Sequence, residues 1–442
     1  MRMKYSRRLG LWLCFLVMAL SSYAQYAVTG GNGTPMLAET DKDVQIWLVN
    51  GMQNVEISYT SATAGTHKWY RYRTKANEAE PFNNSIQNGS TSVIQNLEEG
   101  WGYFVEETAV TKRFIWIIDY SQYAFEINRL EVEGGTDPCY SFRLKSDIEI
   151  QPLVYYSSLG VRSALKRTFD LSYETLEWSE DNKAFIRKTM EKKIEGQPFG
   201  VSLDPAPLVD TDFVLKGDQF ARHFNMEKTI RSDYYQTVSL EVKADTSLIA
   251  DPFSNGGGSG LSAPATISFK AYANEPVAAI YIWYIYSRND ENGRDNAIKR
   301  NEPEFEFTFS EAGGYRVDLE VSDRAGTCTN ADITFNVDIS DSFLEIPNAF
   351  SPGTTPGIND EFRVAYKSLV KFKGWIFNRW GNQIFHWTDP SLGWDGKKGG
   401  KYVSPGVYFY VIEAEGSDGK KYKETGDINI LRSKNIDDAP IN

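Results

Sequence analysis

Apolar and polar residues alternate with period two along much of this chain. Tyr315, Val317, Leu319 and Val321 interleave with Arg316, Asp318 and Glu320, the pattern of a strand with one face in a core and the other in water. Runs at 44–49, 55–59, 114–118 and 407–412 are of the same strand-like kind, and clusters of Gly, Asn and Asp separate them at short intervals. Such spacing predicts sandwiches. Helical periodicity is weak. Residues 181–195 admit a short helix with Ala184, Lys188 and Glu191 on one side; a charged pair of edge strands is the other reading. The chain is expected to be all-β.

Three breaks divide it. Residues 251–260 read DPFSNGGGSG, a stretch that buries nothing. Gly134-Gly135 with Asp137-Pro138 marks a second, and Ser340-Asp341-Ser342 ahead of Ile346-Pro347 a third. The expected organisation is a signal peptide at 1–24, an Ig/PKD-like sandwich at 27–133 and a β-rich module of unassigned family at 136–250. A Gly/Ser linker at 251–262, a second sandwich at 263–339 and a terminal module at 343–433 follow. Four modules suit 442 residues at about 100–150 residues per domain. An internal echo relates two of them. Trp69-Tyr70-Arg71-Tyr72 recurs as Trp283-Tyr284-Ile285-Tyr286, each followed downstream by a Gly-Tyr strand start, Gly102-Tyr103-Phe104-Val105 and Gly314-Tyr315-Arg316-Val317. A Trp in one central strand and a Tyr-led strand after it is how an Ig-like sandwich fills the space between its sheets.

The N-terminus reads as an address. Arg2, Lys4, Arg7 and Arg8 precede an apolar stretch from Leu11 to Leu20, then Ser22-Tyr23-Ala24. These are the parts of a signal peptide with cleavage after Ala24, since a spanning helix needs about 20 apolar residues. Its removal changes the formal charge from -12 to -16, and no later apolar run has spanning length. The expectation is export as a soluble chain. Phosphate neutralisation needs a basic face, for which an acidic chain is a poor candidate, so no nucleic-acid partner is expected. Cys139 and Cys328 lie in different modules, and although an exported chain permits their pairing, two isolated, partly buried thiols are expected.

The third segment carries Trp283, then Phe305-Glu306-Phe307, then Glu311-Ala312-Gly313-Gly314-Tyr315-Arg316-Val317. It resembles PKD-type sandwich modules of extracellular bacterial proteins, although the family's Gly-Asp-Gly turn after the Trp is missing. The resemblance implies a spacer or adhesive element.

The terminal module is richer in motifs. Ile346-Pro347-Asn348-Ala349-Phe350-Ser351-Pro352 leads to Gly357-Ile358-Asn359-Asp360-Glu361-Phe362, then Phe377-Asn378-Arg379-Trp380-Gly381-Asn382 and Trp394-Asp395-Gly396-Lys397. Ser404-Pro405-Gly406-Val407-Tyr408-Phe409-Tyr410-Val411 and Gly426-Asp427-Ile428-Asn429 complete the set. The order resembles the gliding motility-associated C-terminal domain, the type B sorting signal of the type IX secretion system. By themselves, Pro405-Gly406 suit the centre of a type II turn, and Ser417-Asp418-Gly419 a hairpin. Trp380 and Trp394 are large enough to fill a small core, with Gly381 and Gly396 at turns. Most motif residues are thus expected to build the sandwich and few to touch a partner. Where the family commonly has acidic residues after Pro352, this chain has Gly353-Thr354-Thr355-Pro356-Gly357. Asp360 and Glu361 alone are a thin set for a hard cation, so no metal or cofactor is expected. The resemblance implies a route through the periplasm to the type IX translocon, docking on an outer-membrane partner of the PorP/SprF type, and delivery to the cell surface or the outside.

Chemistry is poorly provided for. His67, His223 and His386 fall in separate segments, which suggests neither a metal site nor a Ser-His-Asp arrangement. Gly256-Gly257-Gly258-Ser259-Gly260 lacks the Lys-Ser/Thr and helix of a phosphate loop. The 25 Tyr, 25 Phe and 11 Trp are read as core residues of small sandwiches, with Trp101, between two glycines, a candidate for exposure. The expected protein is a non-enzymatic surface or secreted array serving as adhesin, stalk or assembly component, with a surface glycan or protein as ligand. The alternative is a glycan-active hydrolase with acid/base carboxylates in 136–250.

Overall fold

In the computed structural model, residues 25–62, 65–107, 112–250, 260–330, 333–354 and 357–432 are described. The expected signal peptide with Ala24, and residues 251–259 of the Gly/Ser stretch, lie outside the described residues. The fold is a tandem array of Ig-like sandwiches.

The first segment packs a four-stranded sheet (order Gln25–Thr29, Glu56–Thr60, Thr91–Ile94, Ser85–Asn88) on a six-stranded one. The larger sheet runs Met36–Asp41, Val44–Val49, Phe114–Asp119, Gly102–Glu106, Lys68–Tyr72 and Glu80–Pro81. Phe114–Asp119 is buried at all six positions. Its sequence FIWIID has no polar face because both faces are covered. Ile115 and Ile117 meet Tyr26, Ile57 and Trp69 between the sheets. Phe114, Trp116 and Ile118 meet Leu153, Tyr155, Phe220 and Phe224 of the second segment.

The second segment carries a three-stranded sheet (Leu130–Gly134, Phe142–Ser146, Ser202–Leu203) and a four-stranded sheet (Ala184–Glu195, Thr168–Ser179, Phe213–Lys216, Thr229–Arg231). The helix admitted at 181–195 does not form. Ala184–Glu195 pairs along its whole length with Thr168–Ser179. The alternation that specifies the hairpin sits in the inner strand, where Phe169, Leu171, Tyr173 and Thr175 are buried. Most side chains of the outer strand are exposed, with only Ile194 buried, so its sequence shows little strand period.

The third segment holds a three-stranded sheet (Val242–Ala250, Ala265–Ala273, Glu304–Phe309) against Ile298–Arg300, Ala278–Ser287, Gly313–Asp323 and Ile333–Ile339. Val242–Ala250 belongs to this sheet through its pairing with Ala265–Ala273. The stretch 251–262 thus connects two neighbouring strands of one sheet, and the second segment ends before 242. The echo has a structural counterpart: Trp69 pairs with Val105 and Trp283 with Leu319, and both Trp side chains are buried in their cores.

The terminal segment is built on a five-stranded sheet, ordered Ala349–Phe350, Lys421–Ile430, Gly406–Gly416, Leu369–Phe377 and Gln383–Trp387.

Each junction is fastened. Between the first two segments, the Asp218 carboxylate, fully buried, accepts from Tyr120 Oη at 2.6 Å, from Ala221 N–H at 2.8 Å and from Arg167. Arg167 also donates to the carbonyls of Gln151 and Tyr123, both at 2.9 Å. Between the second and third, Cys139 and Cys328 form a disulfide, which corrects the expectation of isolated thiols. They lie in different segments, but those segments abut, and buried Asn274 donates to the carbonyls of Leu208 (2.7 Å) and Ser239 (2.9 Å) at the same junction. Between the third and fourth, buried Ser368 Oγ donates to the Ser340 carbonyl at 2.7 Å and accepts from Ala263 N–H at 3.0 Å.

Candidate functional site

Alternation along the five-stranded sheet sorts the terminal module's residues by role. Phe372, Ile376, Tyr408, Ile412, Tyr422 and Ile428 point inward to a core that also holds Phe350, Phe362, Trp387 and Trp394. Trp394 is fully buried, its Nε1 donates to the Lys397 carbonyl at 2.9 Å, and its ring lies 5.5 Å from both Phe350 and Tyr408. Asp395 Oδ1 accepts from Lys397 N–H at 3.0 Å, and Gly396 sits at φ +76°. A Cβ there would meet buried Pro352 at 2.8 Å. Asn348 accepts at its carbonyl from Asn429 N–H (2.9 Å), which docks the Ala349–Phe350 strand. Asn359 (φ +52°) accepts from Ser351 N–H at 2.8 Å. Asp360 accepts from the amides of Gly353 and Gly357, so its carboxylate holds the loop after Pro352. Tyr408 Oη donates to the Ser404 carbonyl at 3.0 Å, and burial pushes its pKa up. At Gly426 a Cβ would come within 2.6 Å of the Tyr410 hydroxyl, on its cross-strand partner. All these motif residues are engaged within the module, in its core, its strand pairings or its loops.

A second group lies at the module's surface. The turn after Phe377 is organised by Asn378, whose Oδ1 accepts from the amides of Trp380 (3.0 Å) and Asn382 (2.9 Å), with Gly381 at φ +77°. This turn carries Trp380 out of the core that it was expected to fill. Its side chain is 65% exposed, under the Arg379 guanidinium at 5.0 Å, and Trp387 takes the core position instead. Phe377 pairs with Phe409, which brings the start of the Gly406–Gly416 strand beside the turn. Gly406 takes φ +141°, but as the first paired residue of that strand, opposite Ile430, rather than at the centre of a type II turn. Val407 and Phe409 face outward and are 47% and 45% exposed. Asn378, Arg379, Trp380, Pro405 and Val407 line one cleft of about 520 Å³.

Val407 and Phe409 were not distinguished from Tyr408 by motif, yet a signal existed. GVYFYV is apolar on both faces, and only from Ile412 does the strand alternate with Glu413 and Glu415.

Residues 344–430 match the CHU_C type IX secretion signal domain. The chain carries a type IX secretion signal. This signal links the protein to the type IX machinery and to export toward the cell surface or the extracellular space. Residues 131–232 match a fibronectin type III domain, which accounts for the second segment. No curated protein matches the chain. A solved structure titled "Crystal structure of tetra-tandem repeat in extending region of large adhesion protein" aligns with 88% of this chain and 99% of its own. Its identity is 10% and its TM-score 0.19, too low to indicate a shared overall arrangement. Among the described residues, no helix is long and apolar enough to cross a membrane.

The remaining candidates are spread out. His67 is buried with Nδ1 2.7 Å from Ser92 Oγ, His223 Nε2 lies 2.8 Å from the Thr34 carbonyl, and His386 stands at 5.3 Å from the Trp375 ring. Trp101 is half-buried, with the Arg71 and Arg73 guanidiniums 4.2 and 5.2 Å from its ring. Among the described residues no group of three or more His, Cys, Asp or Glu side chains is placed to hold a metal ion.

Proposed function

We propose that this is a non-enzymatic surface protein whose sorting module docks through the corner formed by Arg379, Trp380, Val407 and Phe409, and whose three preceding modules act as a stalk or adhesin. The observation that carries this reading is the 65% exposure of Trp380, beside outward-facing Val407 and Phe409, while Phe350, Phe362, Trp394 and Tyr408 are buried in the same module. Exposed Trp and Arg at a cleft are the residue types that anchor protein interfaces. An outer-membrane partner of the PorP/SprF type fits as the recipient, and a surface glycan or protein as the ligand of residues 27–339. Fastened junctions suit a stalk, since each module is oriented by its neighbour.

The hydrolase alternative has less support. A hollow of about 490 Å³ in the second segment is bordered by Asp170 and Glu191, together with Lys192, Lys193 and Lys216. Burial alone would raise the Asp170 pKa, but Lys193 and Arg222 outweigh it and hold the carboxyl below its ordinary range. A general acid near neutral pH needs the opposite shift.

The test is surface display in the native host. Deletion of 341–442 is expected to abolish it, and Trp380→Ala with Arg379→Ala to reduce it at least tenfold while the purified protein melts as the wild type does. Undiminished display of the truncated chain would refute the export route; undiminished display of the double variant would refute the corner.

A further inference from the structure

The disulfide joins residues 189 positions apart in sequence, with Cα atoms 5.6 Å apart. Each cysteine is seated by its own turn. Asp137 Oδ1 accepts from Cys139 N–H at 3.0 Å, and Ser239 Oγ donates to the Cys139 carbonyl at 2.7 Å. On the other side Asp323 Oδ1 accepts from Cys328 N–H at 3.0 Å, and Asp323 N–H donates to the Cys328 carbonyl at 3.1 Å. Cys328 is buried. Each turn is thus fixed by its own hydrogen bonds, and the sulfur bridge joins two locally ordered turns.

Chain topology gives this cross-link a mechanical consequence. The strand Leu130–Gly134 is the last before Cys139, and Ile333–Ile339 is the first after Cys328. Tension between the first module and the sorting module runs along covalent bonds, and at Cys139 the taut route crosses directly to Cys328. Residues 140–327 lie off that route. They include Phe142, Phe169 and Phe213 of the second core and Phe269 and Trp283 of the third.

We propose that the Cys139–Cys328 bond is a load bypass, which makes residues 140–327 a closed block that tension along the chain cannot unravel. This inference rests on the stalk reading and gives it a working condition, namely sustained pull. The non-covalent junction keeps the block seated under that pull. Trp178, near the tip of the second segment's long hairpin, lies 5.1 Å from Tyr272 of the third, and Lys183 Nζ is 3.2 Å from Asp245.

The size of the effect follows from chain geometry. Unravelling 189 residues adds on the order of 650 Å of contour at about 3.3–3.6 Å per residue. The exported full chain, held at its two ends in an optical trap, is expected to release that much less length than the Cys139→Ser/Cys328→Ser variant. The comparison does not require the variant to be as stable as the wild type, because it reads length rather than force. Equal release by the two proteins would overturn the proposal, as would free thiols at Cys139 and Cys328 in peptide maps of unreduced protein from the cell surface. If the wild type is shortened as expected but cells lacking residues 25–342 of this protein attach to surfaces as before, the stalk reading fails and the bypass stands.

Discussion

Trp380 and Trp394 have the same side chain, sit in neighbouring motifs of one module, and are bound to opposite consequences. Trp394→Ala empties a fully enclosed site and is expected to cost about 3–5 kcal/mol, read as a large drop in the sorting module's melting temperature. Trp380→Ala removes a ring already in water and is expected to leave melting unchanged. Gly374 shows the converse constraint. A Cβ there would lie 2.6 Å from the Trp387 ring on the paired strand, so Gly374→Ala should destabilise by about 1–3 kcal/mol through overpacking, measured by denaturant titration. In the third module, burial alone would raise the Asp318 pKa, but Thr334, Tyr286 and Arg316 donate to the carboxylate and hold it low. Asp318 is therefore harder to protonate folded than unfolded. Its stabilisation is present above the ordinary carboxylate range and is lost as pH falls through its lowered value. Asp318→Asn should flatten the acid limb of the stability curve.

At the scale of elements, the long hairpin of the second segment combines an informative strand with an uninformative one. Thr168–Ser179 alternates and was legible in principle; Ala184–Glu195 carries Arg187, Lys188, Lys192 and Lys193 on an open sheet edge. Such charges keep an edge from pairing with other chains, and they also erase the apolar period from which a strand is read. Arg187→Val with Lys188→Val would create the run Phe185 to Met190 with no charge, and light scattering should then show aggregation. The sorting motifs were legible because turns and core aromatics recur at fixed spacing. What the spacing could not give is which Trp faces out, since that depends on a turn set by the Asn378 side chain. The disulfide was illegible for a related reason: sequence distance says nothing of where two modules abut.

At the scale of the whole molecule, charge is unevenly shared. Residues 343–432 hold twelve Lys and Arg against ten Asp and Glu, while the chain as a whole stands at -12. Repulsion within the acidic body and its absence in the sorting module favour solubility for the former and contact for the latter. Counting sandwiches also differs from counting units that melt. Because Phe114–Asp119 contributes to two cores at once, the first sandwich cannot lose its second neighbour without wetting Trp116 and Ile118. A fragment ending at residue 133 should precipitate. One ending at residue 240, with Cys139→Ser, should remain soluble and unfold in a single calorimetric transition. The first two domains are thus expected to be kept together as a pair, since recombination that cuts between them would leave the apolar outer face of the first in water.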